Sequence, residues 1–198
     1  MLRINRKWEA DPKKFYNDWH TKHSHTQAFG LELLGRRGGN TNFIRRLNDT
    51  IALCHGSVLD VGCQRGAYVK HLRINPNVTD VIGLDISEVV IHQAKLLQPG
   101  VSFIVGDIMN LPFRDNSFDT VLASETLEHL TQPGLAALEL MRVTRNQTIV
   151  SVPNEPKTIS DPTHLRFFEI KDLTDLFRHW KVELIETKAV NHIIRITK

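Results

Sequence analysis

The chain alternates short apolar runs with stretches of helical periodicity. Apolar runs of four to eight residues bounded by turn residues are typical of buried strands, and apolar positions repeating every three or four residues are typical of amphipathic helices. Strands are therefore predicted over 57–61, 80–85, 101–105, 119–123, 147–152, 182–187 and 192–197. Helices are predicted over 42–53, 66–74, 88–97, 131–143 and 170–179.

This alternation predicts an α/β fold with a doubly wound, mostly parallel sheet of seven strands. Parallel neighbours need a crossover, which the intervening helices supply, and ligands bind such sheets at the carboxyl ends of the strands. Only residues 188–191 separate the last two strands. These two strands are therefore expected to form an antiparallel hairpin, so that the last strand is antiparallel.

Charge divides the chain into two parts. Residues 1–50 hold ten Lys and Arg and five Asp and Glu, so the excess behind the formal net charge of +3 lies before residue 51. A basic appendage favours an anionic partner, either a phosphorylated small molecule or RNA, although a solvated helical surface explains the same charges. We predict that residues 1–40 form a basic helical arm that caps an acceptor site, and that residues 41–198 form the sheet domain.

Composition sets further bounds on the protein. Its 198 residues, 41% hydrophobic and 24% charged, suit one ordinary globular domain. No run approaches the roughly 18 apolar residues of a membrane span, and the first residues lack the apolar stretch of a secretory signal. The two cysteines, Cys54 and Cys63, do not suggest a disulfide framework. A cytoplasmic location without a membrane partner is therefore expected.

A glycine-containing loop follows the first predicted strand, in the segment Ser57-Val-Leu-Asp-Val-Gly-Cys-Gln-Arg-Gly66. Gly62 and Gly66 permit backbone angles and close approaches that a side chain would block. Such a loop offers backbone N–H groups to a nucleotide-like ligand. Asp60 precedes the loop, where an acid repels a pyrophosphate and attracts a cationic amino group. A simple turn from strand to helix explains the two glycines equally well.

Two more acids follow the next two strands. Asp85 ends the second strand, 19 residues after Gly66, where an acid can bind both hydroxyls of a ribose. Asp107 follows the third strand. Each has a structural alternative, since Asp85 or Ser87 could cap the next helix and Asp107 could simply end its strand. Three acids at one edge of one sheet are costly without partners, which favours a ligand site.

Together with the fourth run, Phe118–Ser124, and the following Glu-Thr-Leu-Glu-His129, these motifs resemble those of class I S-adenosylmethionine-dependent methyltransferases over residues 55–180. The resemblance implies S-adenosylmethionine as cofactor. A small-molecule acceptor is expected, with RNA as the alternative partner. The resemblance also implies the following cofactor-binding residues: Asp60, Gly62, Cys63 and Gly66 around the methionine part, Asp85 on the ribose, Ile86 beside the adenine, Asp107 and the Ile108 backbone at the adenine amino group, and Ser124 near the methyl. The family usually has glycine where Gln64 stands.

The segment after the fourth strand carries candidate catalytic residues. On a helix, Glu125, Glu128 and His129 would share one face, and His164 lies in an expected lid after the fifth strand. This set resembles the metal site of small-RNA 2′-O-methyltransferases, which implies Mn, Co, Fe or Mg bound by these four residues. Without a metal, His129 or His164 is the expected base, beside Glu125. A structural role for all four residues is the alternative.

Three functions are compatible with these motifs. The leading hypothesis is O-methylation of a small polar or anionic metabolite. An RNA methyltransferase of the metal-assisted 2′-O type is the second, although the chain shows no aromatic stacking platform for bases. An inactive methyltransferase-like binding module is the third, and Gln64 is its only indication.

Overall fold

The computed structural model describes residues 11–22, 41–154, 163–186 and 191–198. Predictions for the rest of the arm, for residues 155–162 of the expected lid and for the loop 187–190 lie outside the described residues. The helices are α1 (Pro12–Lys22), α2 (Thr41–Ile51), α3 (Ala67–Leu72), α4 (Glu88–Leu97), α5 (Pro133–Val143) and α6 (Ile170–Leu176). None of these described helices has the length and apolar content that crossing a membrane requires.

The strands are β1 (Gly56–Val61), β2 (Val78–Asp85), β3 (Ser102–Val105), β4 (Phe118–Ser124), β5 (Thr144–Pro153), β6 (Lys181–Ile185) and β7 (Asn191–Thr197). They form one sheet in the order β3-β2-β1-β4-β5-β7-β6. Strands β1 to β5 pair in parallel, and β7 runs antiparallel to both β5 and β6. The predicted seven-stranded sheet with an antiparallel last strand is therefore confirmed.

Hydrophobic cores cover both faces of the sheet. On one face, α5 and α6 pack through residues such as Leu140, Leu173 and Phe177. On the other, α2, α3 and α4 pack through residues such as Leu47 and Val69. Burial on both faces explains why the parallel strands are near-continuous apolar runs rather than alternating ones. Strand order reverses at β1, which lies between β2 and β4, and this reversal opens a crevice at the carboxyl ends of the strands.

Helix α1 is the described part of the basic arm. Its start is explained locally, because the Asp11 carboxylate accepts a hydrogen bond from the Lys14 backbone N–H at 2.9 Å and Pro12 occupies the first helical position. The helix packs against α4. This contact places α1 beside the edge of the sheet where β2 ends.

Candidate active site

A cavity of about 280 Å³ opens at the carboxyl ends of the parallel strands. Residues from the turns after β1 to β4 and from α1 and α2 line it. Eleven of the thirteen predicted site residues are in this lining: Asp60, Gly62, Cys63, Asp85, Ile86, Asp107, Ile108, Ser124, Glu125, His129 and His164. The other two, Gly66 and Glu128, do not line it.

The loop after β1 is tightly constrained at Gly62. This residue has a φ of +77°, and a Cβ there would lie 2.5 Å from Thr126 Oγ1. The backbone N–H groups of Gly62 and Cys63 both donate to the Leu84 carbonyl, at 2.7 and 3.0 Å. The loop is therefore bound to the end of β2, and glycine is required where Thr126 approaches it.

Gly66 bends the chain into α3. Its φ is +80°, and it occupies the capping position of that helix. The Gln98 side-chain amide, from the end of α4, donates to the Gly66 carbonyl at 2.8 Å. Gly66 thus shapes the loop without reaching the cavity, and Gln98, which the sequence did not indicate, supports it from behind.

Asp60 is a buried acid at the base of the cavity. Its side chain is 2% exposed, and Oδ2 has no hydrogen-bond partner among the described residues. Burial, followed by the repulsion of Asp85, raises the pKa of this carboxyl to about 8. The described residues therefore give this carboxyl few hydrogen-bond partners, and a cationic group of a ligand would stabilise its charged form.

Asp85 ends β2 and organises the turn around it. Its two carboxylate oxygens accept hydrogen bonds from the Gln64 N–H at 3.0 Å and the Ser87 N–H at 2.9 Å. Burial raises its pKa to about 6, against the opposing effect of these backbone hydrogen bonds. Because each carboxylate oxygen has a second lone pair, Asp85 can still accept from a ligand. Ser87, not Asp85, is the capping residue of α4.

Asp107 forms a turn two residues after β3. Its Oδ1 accepts a hydrogen bond from the Met109 N–H at 2.8 Å, which holds the acid at the cavity wall. Ile108 lines the cavity but its side chain also belongs to the core, with 7% exposure. The turn after β3 therefore presents both a carboxylate and an apolar surface to a ligand.

The prediction that Glu125, Glu128 and His129 lie on one helix is wrong. Strand β4 ends at Ser124, Glu125 adopts a left-handed φ of +53°, and only Leu127–His129 forms a single 3₁₀ turn. The Glu125 N–H donates to the Ser151 carbonyl on β5 at 2.9 Å. This bond holds Glu125 at the sheet edge, so the three side chains do not share a helical face.

Glu125 belongs instead to a polar cluster at the cavity wall. Its carboxylate makes an ion pair with Arg46 of α2 at 3.1 Å and accepts a hydrogen bond from Asn191 of β7 at 2.9 Å. Arg46 also donates to the Tyr68 hydroxyl, which accepts a second hydrogen bond from the Ser124 hydroxyl at 2.8 Å. Sequence patterns did not indicate Arg46, Tyr68 or Asn191, because they come from three elements that meet only in the fold.

Glu128, His129 and His164 form a second group, of which His129 and His164 line the cavity. One potential ligand atom from each lies within 4.8 Å of the others, so these three described residues could hold a metal ion, and Glu125 is not among them. His129 Nδ1 lies 3.1 Å from the Thr163 carbonyl. A carbonyl can only accept, so Nδ1 carries the hydrogen and Nε2 is the basic nitrogen of the neutral ring.

The sheet order, the glycine loop and the acids at successive strand ends define a Rossmann-like methyltransferase fold. Residues 59–152 match the family model described as "Methyltransferase domain". The chain belongs to the class I S-adenosylmethionine-dependent methyltransferase family, as the motifs predicted.

Individual relatives agree with this assignment. A Mycolicibacterium smegmatis protein named "Probable S-adenosylmethionine-dependent methyltransferase" is 32% identical over 148 residues, 70% of this chain and 57% of that protein. A malonyl-[acyl-carrier protein] O-methyltransferase of Erwinia billingiae is 38% identical over 87 residues, 44% of this chain and 34% of that protein. The chain spans between about a quarter and somewhat over half of the length of the first curated relatives it matches.

A solved structure shares the fold over nearly the whole chain. Magnesium protoporphyrin IX methyltransferase from Synechocystis PCC 6803, determined with bound S-adenosylhomocysteine, superposes with a TM-score of 0.70. The match covers 94% of this chain and 99% of that one, at 17% sequence identity. This likeness concerns the fold alone.

Proposed function

We propose that the protein catalyses S-adenosylmethionine-dependent O-methylation of a small polar or anionic metabolite. The observation that carries the cofactor assignment is the buried Asp60 carboxylate, whose Oδ2 has no partner among the described residues and which shares the cavity with Asp85 and Asp107. Two buried acids with raised pKa values match a ligand that brings a positive charge and hydroxyl donors.

Each of these residues has a distinct role in the proposal. Asp60 faces the cationic methionine part, and Asp85 accepts hydrogen bonds from the ribose hydroxyls. Asp107 and the Ile108 backbone bind the adenine edge, with Ile86 packed beside the ring. The bound cofactor supplies an activated methyl group on a sulfonium, and the cavity wall around Ser124 aligns the acceptor with it.

On the acceptor side, His129 is the proposed general base. Its Nδ1 is used by the Thr163 carbonyl, so Nε2 can take the proton of an acceptor hydroxyl as the methyl is transferred. Arg65 also lines the cavity, and its cation favours an anionic or polar acceptor, whereas Arg46 is already paired with Glu125. The relative from Erwinia billingiae is itself named as an O-methyltransferase, which supports oxygen as the accepting atom.

The proposal is tested with methyl-labelled S-adenosylmethionine and two fractions of a cell extract, small molecules and RNA. We expect label in the small-molecule fraction, in a base-stable ether or as an ester. His129→Gln should reduce the rate about 10²–10⁴-fold, the usual contribution of a general base, with the cofactor affinity unchanged. Label in RNA alone would contradict the acceptor class, and cofactor binding without transfer to either fraction would support a binding module.

A metal-assisted version of the same reaction is favoured by one observation, the grouping of Glu128, His129 and His164. Two imidazoles and a carboxylate suit Mn²⁺, Co²⁺ or Fe²⁺ better than Mg²⁺, which prefers oxygen ligands. In this version the metal would lower the pKa of the acceptor hydroxyl. The purified protein should then bind about one equivalent of Mn²⁺, and His164→Ala should abolish that binding. Transfer that survives a chelator, in protein without metal, leaves His129 as the base.

A further inference from the structure

Helix α1 presents different faces to the cavity and to α4. Tyr16, Trp19 and His20 line the cavity, and the ring of Tyr16 meets that of His129 edge to face, with centroids 6.3 Å apart. Asn17 and Lys13 are four residues apart and therefore share another face. Lys13 forms an ion pair with Glu88 at the start of α4. The helix is thus a wall of the acceptor side of the cavity, attached to the element that follows Asp85.

Asn17 makes the most specific of these attachments. Ser87, the capping residue of α4, makes no capping bond with its own side chain. Its fully buried hydroxyl instead donates to Asn17 Oδ1 at 2.9 Å. The same Oδ1 lies 3.4 Å from the Val89 N–H in the first turn of α4. Asn17, which lies on a helix distant in sequence, therefore supplies the cap that Ser87 would ordinarily provide.

These bonds continue directly into the cofactor side of the cavity. The Ser87 N–H donates to Asp85 Oδ1, and the Gln64 N–H donates to Asp85 Oδ2. One chain of hydrogen bonds thus joins α1, through Asn17 and Ser87, to the acid proposed to bind the ribose and to the glycine loop. If the turn at Asp85–Ser87 becomes more rigid, α1 is held more firmly. Because coupling between two sites is reciprocal, firmer docking of α1 also makes the turn more rigid.

We infer that Asn17 is a positioning residue that couples docking of the acceptor wall to cofactor binding. The inference rests on the proposed function and extends it. Without cofactor, α1 is held by Asn17, by the Lys13–Glu88 ion pair and by the contact of Tyr16 with His129. With cofactor, the turn at Asp85–Ser87 is fixed at both ends, so α1 is held more firmly and the acceptor side of the cavity is completed. The cofactor is then retained longer because the wall beside it opens less often.

Dissociation of S-adenosylhomocysteine by stopped flow tests this coupling. Asn17→Ala should accelerate dissociation about five- to tenfold, the effect of losing one to two neutral hydrogen bonds. Asn17→Asp keeps the accepting oxygen and adds a charge that suits a helix N-terminus, so it should remain within about twofold of the parent. Asp18→Ala is the matched control, because it removes the exposed pair with Lys14 on the same helix.

Amide hydrogen exchange separates failure of the coupling from failure of the proposed function. In the parent, S-adenosylhomocysteine should slow exchange in residues 12–22, and in Asn17→Ala this protection should be largely lost while the sheet remains protected. Equal dissociation rates in Asn17→Ala and the parent, or equal protection of α1, would overturn the coupling. A parent that binds no S-adenosylhomocysteine would overturn the proposed function and the coupling with it, whereas faster α1 exchange in ligand-free Asn17→Ala would still show that Asn17 holds the helix.

Discussion

Asp60→Asn removes a carboxyl group whose proton we expect to be released when the cofactor binds. With a pKa of about 8, Asp60 is about 90% protonated at pH 7. Its expected partner, the α-amino group of S-adenosylhomocysteine, is charged at that pH, because the adjacent carboxylate keeps its pKa above that of a peptide amino group. Pairing requires the carboxylate and the ammonium together, so binding at pH 7 should release about 0.9 proton.

This proton release should disappear as the pH rises past the pKa of Asp60. At pH 9 Asp60 is already mostly ionised, so binding should release no more than about 0.1 proton. Asp85, with a pKa of about 6, is charged at pH 9 and largely charged at pH 7. Burial and the two acids raise the pKa of Cys63 well above its ordinary value, so its thiol stays neutral at pH 7.

The assay is calorimetry of S-adenosylhomocysteine binding in buffers of different ionisation enthalpy. The neutral product avoids any contribution from the sulfonium charge. Asp60→Asn should release no proton at pH 7 and bind more weakly than the parent at pH 8. Release of less than about 0.3 proton by the parent at pH 7, or equal release by Asp60→Asn, would refute the role given to Asp60.

Stability of the ligand-free protein follows from the same shift in pKa. Because the folded pKa of Asp60 lies above the unfolded value of about 3.9, folding favours the protonated form, and stability is lost as pH rises from about 4 to about 8. Between pH 6 and 8 the parent should lose about 2 kcal/mol relative to Asp60→Asn in urea unfolding. A parallel pH dependence in the two proteins would contradict the raised pKa.

Three further substitutions test the local structure of the site. Gln64→Gly should stabilise the ligand-free protein by about 1 kcal/mol in urea unfolding, since Gln64 has a φ of +47° that glycine adopts without strain; an unchanged midpoint would contradict the strained loop. Gly62→Ala should lower the free energy of unfolding more than Gly100→Ala. Both glycines have a positive φ, but a Cβ at Gly62 would clash with Thr126, whereas nothing lies within 4 Å of a Cβ at Gly100. Equal losses would show that the loop moves to accommodate the added methyl group. Glu125→Ala should destabilise the protein by about 1–3 kcal/mol, because it leaves the mostly buried Arg46 without its ion pair. The double variant Glu125→Ala/Arg46→Met should recover part of this loss. If the effects of the two single substitutions are fully additive, the pairing is refuted.

The strands were predictable because their burial is encoded locally. The run Thr120–Ala123 is apolar apart from its first residue and lies between β1 and β5, and every predicted strand is present within a few residues of its predicted limits. The placement of Asp60, Asp85 and Asp107 on one cavity followed from the rule that parallel strands end at the same edge. Those positions needed no knowledge of contacts distant in sequence.

The remaining features of the site depend on contacts between distant residues. Residues 125–129 have a helical spacing of acids and histidine, but the bond from the Glu125 N–H to Ser151 and the hydrogen bond from the Thr126 hydroxyl to Val61 prevent a helix. Arg46 and Asn17 lie on helices whose periodicity shows an apolar face without showing what that face meets. Tertiary hydrogen bonds of this kind leave no local pattern in the sequence, so only the structure revealed them.

Binding of S-adenosylhomocysteine by Asp85→Ala tests the central claim most directly. Asp85 joins the glycine loop, the turn into α4 and the proposed ribose contacts. Two charge-assisted hydrogen bonds to the ribose are each worth about 1.5–3 kcal/mol, so the dissociation constant should rise at least about 100-fold by calorimetry. Circular dichroism and the melting profile verify that the variant is folded. Affinity equal to that of the parent, in a folded Asp85→Ala protein, would contradict the cofactor site described above.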